Sequence, residues 1–376
     1  MKLIRIFETH RLILAIALGI SFASPAFAQT FIMNPDGKLT DIGSLGGLYT
    51  NARDINDSGR VVGSSNTIRD DSNSTRAFIT GPDGMGMTNL GTLGGGSYAS
   101  AINESGRVAG YSLSMSSRSS FITGPDGTGM TNIGTLGGSF TVANGINESG
   151  QVAGYSEVTP NSFRAFITGP NGVGMTALGT LGGSASYAQD INDSGRVVGY
   201  SHTTGGFTHA FITGPDGVGM TDLGTLGGTH SEAYGINNSG QVVGVSSLAD
   251  GSRHAFITGP DGVGMTDLGM LGGSSSIAYD INDSGQVVGD SRAADGHEHG
   301  FITGPNGMGM TDISSIADFS SVVVENIPAK ILNHAFGINN EGQVIAAIIP
   351  EPASYALMLA GLGLLGLLAR RNGVSA

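Results

Sequence analysis

Three loops of the chain carry oxygen-bearing side chains at alternate positions followed by a glycine. They are Asp54-x-Asn56-x-Ser58-Gly59, Asp190-x-Asn192-x-Ser194-Gly195 and Asp280-x-Asn282-x-Ser284-Gly285. Hard oxygen ligands at the first, third and fifth positions with glycine sixth make up the first half of an EF-hand-type calcium loop. No acidic residue follows at the twelfth position, however, and the leading Asp is Ala101, Gly145, Gly235 or Gly337 in four further copies. Asp, Asn, Ser and Gly are also the residues of tight turns. The reading favoured is therefore a turn and no metal, with calcium at Asp54, Asn56, Asp190, Asn192, Asp280 and Asn282 as the alternative.

Histidine offers a second chemistry, most visibly in His297-Glu298-His299. There is no His-Glu-x-x-His motif, and His209, His254 and His299 occupy one recurring position that Arg76, Ser119 or Arg164 fills elsewhere. A polar residue at the start of a strand explains that pattern better than a zinc site. No serine lies in a Gly-x-Ser-x-Gly elbow, which removes that nucleophile. A carboxylate pair of the glycosidase kind would have to be assembled from Asp or Glu in different repeats. Tyr111, Tyr155 and Tyr200 each stand between Gly and Ser in one register. Tyrosine suits a strand and packs there; if these three face outward they are the first residues to test for stacking on sugar rings.

These side chains need elements to hold them, and the sequence supplies one unit written seven times. Phe-Ile-Thr-Gly-Pro-(Asp/Asn)-Gly begins at Phe78, Phe121, Phe166, Phe211, Phe256 and Phe301, and a degenerate copy begins at Phe31. Ile-Asn-x-x-Gly-x-Val alternates with it, starting at Ile55, Ile102, Ile146, Ile191, Ile236, Ile281 and Ile338. The last five Phe landmarks are 45 residues apart. In the copy Ala210–His254, the punctuation predicts strands over Ala210–Thr213, Gly219–Leu226, Glu232–Asn237 and Gln241–Ser246. Gly-Pro-Asp-Gly fits a type I turn, and Gly227-Gly228 is expected to end the second strand. Gly240 is expected to take the left-handed conformation that β-branched residues avoid. No helical stripe interrupts the pattern.

Residues 29–349 thus read as an all-β array of seven four-stranded repeats. Four short strands in about 45 residues is the size of a propeller blade, which buries its two faces against its neighbours. A seven-bladed β-propeller is favoured, with a β-solenoid as the alternative. Neither the phase of the blades nor the strand pair that closes the ring follows from the repeat. The final copy is atypical, with an insertion before Ile338.

Composition narrows the partners. The net charge is −13, which argues against nucleic acid. Cysteine is absent, so disulfides, thiolate metal sites and thiol catalysis are excluded. Glycine is abundant at 64 residues but proline numbers 12 and there is no Gly-X-Y period, so collagen is excluded as well.

The units "HAFITGPDGVGMTDLGTLGG…AYGINNSGQVVG" resemble the HAF-family extracellular repeat, with His209-Ala210-Phe211 and His254-Ala255-Phe256 as its signature residues. Arg76, Ser119 and Arg164 depart from the signature His, and Gly300 replaces the Ala. The resemblance implies β-repeats outside the cytoplasm and brings no catalytic residues.

Both ends of the chain read as addresses. Lys2, Arg5 and Arg11 precede and flank the apolar run Leu12–Phe22, and Ala26-Phe27-Ala28 has the small-x-small form of a cleavage site. Residues 1–28 are therefore expected to be a signal peptide. Near the other end stand Pro350-Glu351-Pro352, an uncharged apolar stretch over 353–369, and Arg370-Arg371. The stretch is long enough for a transmembrane helix, and the arginines would hold residues 372–376 in the cytoplasm. Gly361-x-Gly363-x-x-Gly366 matches a dinucleotide fingerprint but lacks its strand, so the match is accidental.

This order of Pro-Glu-Pro, apolar span and Arg-Arg closely resembles the PEP-CTERM sorting signal of Gram-negative, polysaccharide-producing bacteria. The resemblance implies an exosortase partner and transient residence in the inner membrane. Delivery to the cell surface or extracellular matrix would follow. The expected function is that of an exported, non-enzymatic surface or matrix protein associated with exopolysaccharide or biofilm. A lectin-like carbohydrate-binding propeller and a polysaccharide-active hydrolase are the alternatives.

Overall fold

Two kinds of turn set the architecture. In the Ile-Asn-x-x-Gly segment the Asn192 side-chain oxygen accepts from the Ser194 hydroxyl (2.8 Å) and the Arg196 N–H (3.1 Å). The Gly195 N–H closes onto the Asn192 carbonyl, and Gly195 itself has φ +73°. Asparagine is needed because its side chain replaces the hydrogen bonds that the bend removes from the ladder. The Gly-Pro-Asp-Gly segment differs from the type I turn expected of it. Asp216 has φ 53° and ψ 29°, Gly217 has φ +74°, and the Val218 N–H reaches the Pro215 carbonyl. That is a type I′ geometry shifted one residue onward, which Asp-Gly accommodates because both can hold positive φ.

In the computed structural model the described residues are 29–68, 74–322 and 331–348. They fold into seven four-stranded antiparallel units. A representative one runs Gly182–Ile191, Val197–Thr203, Thr208–Thr213 and Met220–Asp222, in that order across the sheet. Two neighbouring units are joined by a single parallel bridge from Arg253 to Ser275. The Gly227-Gly228 pair opens a strand, Gly227–Ile236, where it was expected to end one. Its φ of +104° lets Gly227 turn the chain from the outer strand of one unit into the first strand of the next.

The strand Thr208–Thr213 and the strand Gly227–Ile236 consequently belong to different sheets. The seventh sheet is composite, in the order Leu39–Asp41, Gln29–Met33, Val344–Ile348, His334–Ile338. The two earliest strands complete what the two latest begin. The architecture is all-β and propeller-like.

Packing lies between sheets. Val198, Ala210 and Ile212 of one sheet meet Ala233, Ile236, Val242 and Phe256 of the next. The phenylalanines of all seven landmarks are fully buried. Each such ring contributes on the order of 2–3 kcal/mol of apolar burial. The atypical final copy packs its insertion against the closing seam. Ile313 and Leu332 are fully buried, and the Asp318 N–H donates to the Gly37 carbonyl at 2.7 Å. This explains Gly300: a Cβ there would lie 2.7 Å from the Ile313 side chain.

Candidate functional site

The Ile-Asn loops of the seven sheets meet in a ring. Each asparagine amide donates to the carbonyl of its counterpart in the next sheet, from Asn56 through Asn103, Asn147, Asn192, Asn237 and Asn282 to Asn339, at 3.1 Å. Asn339 returns to the Asn56 carbonyl at 2.9 Å. A second circuit lies beside it. The N–H of each following residue donates to the side-chain oxygen of the next, from Asp57 through Glu104, Glu148, Asp193, Asn238 and Asp283 to Asn340, and back to Asp57, at 2.6–3.0 Å. A cavity of about 360 Å³ is lined by these loops.

The candidate calcium residues divide between two layers. Asn56, Asn192 and Asn282 belong to the amide ring, while Asp54, Asp190 and Asp280 reach across the seams between sheets. One oxygen of Asp190 accepts from the Ile191 N–H (2.7 Å) and the other from Ile236 of the next sheet (3.0 Å). Asp54 does the same with Ile55 and Ile102, and Asp280 with Ile281 and Ile338. All six oxygens thus face N–H donors. Among the described residues no three His, Asp or Glu side chains are grouped to hold a metal ion. His209, His254 and His299 pair with Asp222, Asp267 and Asp312 of the adjacent outer strands at 2.7–2.8 Å.

A larger cavity, about 620 Å³, is walled by the first strands of all seven sheets. Each of these strands carries a β-bulge at one place, after Ala52, Ala99, Ala143, Ala188, Ala233, Ala278 and Ala335. A bulge leaves its extra residue unpaired and re-aims the side chain. The extra residues are Arg53, Ser100, Asn144, Gln189, Tyr234, Tyr279 and Phe336, and every one lines the cavity. Asn144 also donates to the Ala188 carbonyl at 2.8 Å.

Tyr111, Tyr155 and Tyr200 stand on this wall too, with Tyr49 and Tyr98. Tyr98 and Tyr111 face each other across two strands and stack with centroids 5.2 Å apart. Tyr187 packs against both Tyr155 and Tyr200 at 5.1 Å. Seven of the nine tyrosines of the chain line the cavity.

Charge is distributed unevenly around it. The Arg118 guanidinium lies 5.2 Å from the Tyr111 ring and 5.9 Å from Phe140. Burial pushes the Tyr111 hydroxyl up, and the Arg118 and Arg53 charges pull it back. On another side, the Tyr234 hydroxyl donates to Glu232, and burial with that bond holds the phenol protonated. Tyr200 is pushed up to about 12, first by burial and then by the Glu232 charge. Deep on the wall, burial and the Asp280 charge raise Asp190 to about 7. Burial raises Asp280 to about 6, and burial and Asp280 raise Asp54.

Of the residues on this wall, Tyr111, Tyr155, Tyr200, Asp54, Asp190 and Asp280 are among those the sequence singles out, whereas Arg53, Arg118, Gln189, Tyr234, Tyr279 and Phe336 are not. The available signal was Ala-x-(Asp/Gly/Ala)-Ile, in which x differs in nearly every copy. Arg118 sits where other copies carry Thr75, Phe163, Thr208, Arg253 or Glu298. Ala26, Ala28, the helix expected over 353–369 and the sorting residues Pro350, Glu351, Pro352, Arg370 and Arg371 lie outside the described residues.

Residues 349–372 match the PEP-CTERM protein-sorting motif, which implies export and processing by an exosortase, a membrane enzyme. Among the described residues no helix is long and apolar enough to cross a membrane. No curated protein is significantly similar to the chain. Among solved structures, the β-propeller domain of the Trilobed protease from Pyrococcus furiosus is 11% identical with a TM-score of 0.52, over 77% of this chain and 85% of that one. Oligogalacturonate lyase from Vibrio parahaemolyticus is 11% identical with a TM-score of 0.51, over 86% of this chain and 92% of that one. TolB from Acinetobacter baumannii is 10% identical with a TM-score of 0.48, and the 78% of this chain that aligns spans 64% of its length. At such identities the likeness is one of fold.

Proposed function

We propose that the chain is an exported, non-enzymatic surface or matrix protein, a seven-bladed propeller of HAF-type repeats that binds carbohydrate in its tyrosine-walled cavity. In the producing cell it would associate with exopolysaccharide or biofilm material. The observation that carries this reading is the ring of bulged residues. Positions that build the fold are nearly uniform around the molecule: Phe in the core, Ala before each bulge, Asn in the closed ring. The seven bulged side chains share one backbone geometry yet differ in charge, size and polarity, which no requirement of the fold explains. A cavity of this size walled by aromatic rings and a few oriented polar groups suits a ligand with apolar faces and hydroxyl edges.

The deep aspartates favour binding over catalysis, since their oxygens already accept backbone N–H groups. Purified full-length chain on an array of neutral and acidic glycans checks the proposal. Binding is expected, weakened at least about tenfold by Tyr155→Ala or Tyr200→Ala, with no shortened products after long incubation. Release of cleaved glycan, or binding indifferent to both substitutions, would count against it.

A further inference from the structure

Two cations of the cavity have no carboxylate partner among the described residues. Elsewhere in the repeats, Arg60 pairs with Asp126 at 2.5 Å and Arg196 with Asp261 at 3.0 Å. Arg53 and Arg118 form no ion pair among the described residues. Arg118 enters the wall at a seam between sheets, where its backbone N–H donates to the Ser139 carbonyl at 3.0 Å. Its side chain lies over Tyr111 and Phe140, and its Nε is buried without a hydrogen-bond partner among the described residues. A buried guanidinium N–H left unbonded carries a desolvation cost of about 1–3 kcal/mol. Cation–π contact offsets part of that cost but satisfies none of the donors. Arg53 lines the same cavity from the bulge of the first sheet, and its charge, like that of Arg118, acts on the Tyr111 hydroxyl. Tyr98, stacked on Tyr111, completes this side of the wall.

We propose that Arg53 and Arg118, with the Tyr98–Tyr111 pair, form a subsite for the carboxylate of an acidic sugar, so that the ligand is a uronate-containing polysaccharide. This rests on the carbohydrate reading and specifies its ligand class. A guanidinium presents parallel donors that match a planar carboxylate in a bidentate manner. A pyranose ring bearing that carboxylate would lie against tyrosine while its acid group meets the arginines. The chain as a whole is acidic at −13, so long-range attraction does not bring an anion here. Selectivity for the acid must come from these short-range contacts.

The test uses alginate oligomers and the same oligomers with their carboxyl groups reduced to alcohols, titrated calorimetrically into full-length chain. Wild type is expected to prefer the acidic oligomers at least about tenfold. Arg118→Gln and Arg53→Gln should each reduce that preference severalfold and the double variant should abolish it, the loss of affinity being much larger for the acidic oligomers than for the reduced ones. Arg118→Lys, which keeps the charge but loses the fork, should retain part of the preference. Tyr155→Ala should weaken both oligomers alike. Melting temperatures within a few degrees of wild type establish that the variants fold. Equal binding of the two oligomers by wild type, or a preference that survives the double variant, overturns the inference and leaves the carbohydrate reading standing. Binding of neither oligomer overturns the inference, and absence of binding across the whole glycan array overturns the carbohydrate reading as well.

Discussion

Asp190 shows how one side chain ties the ring and makes it sensitive to pH. Its two N–H donors, Ile191 and Ile236, favour the carboxylate, whereas burial and the nearby Asp280 disfavour it. Burial wins, and the group titrates at about 7. A proton is therefore held more tightly in the folded chain than in the unfolded one. The stabilisation that this proton carries is complete below the ordinary carboxylate range, near pH 4, and is lost as pH rises through 6 to 7. Asp280, at about 6, acts in the same direction. Melting temperature is expected to fall between pH 5 and pH 8. Asp190→Asn, which cannot ionise, should flatten that fall by one proton's worth of linkage. A melting curve equally steep in the variant would show that Asp190 is not the titrating group. The sequence showed these aspartates as members of Asp-x-Asn turns. It could not show that acid and amide of one loop act in different layers, because that depends on the neighbouring sheet.

At the scale of the strand, the bulge is the device that turns a uniform repeat into a varied wall. It requires a close approach on the partner strand, which glycine provides. Gly199 pairs with Ala188 immediately before the bulge, and a Cβ on Gly199 would lie 2.0 Å from the Tyr187 carbonyl oxygen. Gly199→Ala must push the two strands apart beside Tyr187, Gln189 and Tyr200. A destabilisation of about 1–3 kcal/mol is expected, together with weaker glycan binding. Gly179→Ala is the control, since a Cβ there meets nothing within 4 Å. Chemical denaturation of the two variants checks this, and equal stabilities would remove the packing argument. The strands themselves were legible from punctuation. Their edges were not, because Gly-Gly can end one strand or start the next, and positive φ at Gly227 chose the second. The bulge was hidden for a similar reason: an extra residue in a strand looks like an ordinary one until its partner is known.

For the whole molecule, seven copies and an all-β repeat were evident from the sequence, while the phase was not. A repeat cut at any point reads the same, so nothing local shows that the first two strands belong with the last two. The structure answers with three independent ties. Gln29–Met33 pairs with Val344–Ile348, Asn339 and Asn340 close the two hydrogen-bond circuits onto Asn56 and Asp57, and Asp318 bonds to Gly37.

Such closure gives the first and the last sheets a neighbour on each side and leaves only short outer strands as edges. It also yields a direct test. Thr30 lies opposite Ala347 in register, and both are buried. Opposed residues of an antiparallel pair have Cα atoms about 4.5–5.5 Å apart, within the range a disulfide spans. The chain has no cysteine, so Thr30→Cys with Ala347→Cys introduces the only thiols. On mild oxidation the double variant should form an intramolecular cross-link, visible as faster migration on a non-reducing gel. Its melting temperature should exceed that of the reduced form, because the link restrains nearly the whole unfolded chain. An open array would leave those residues apart and give free thiols or cross-linked dimers. A monomeric cross-link that releases on reduction would establish that the first strand and the last share one sheet in solution.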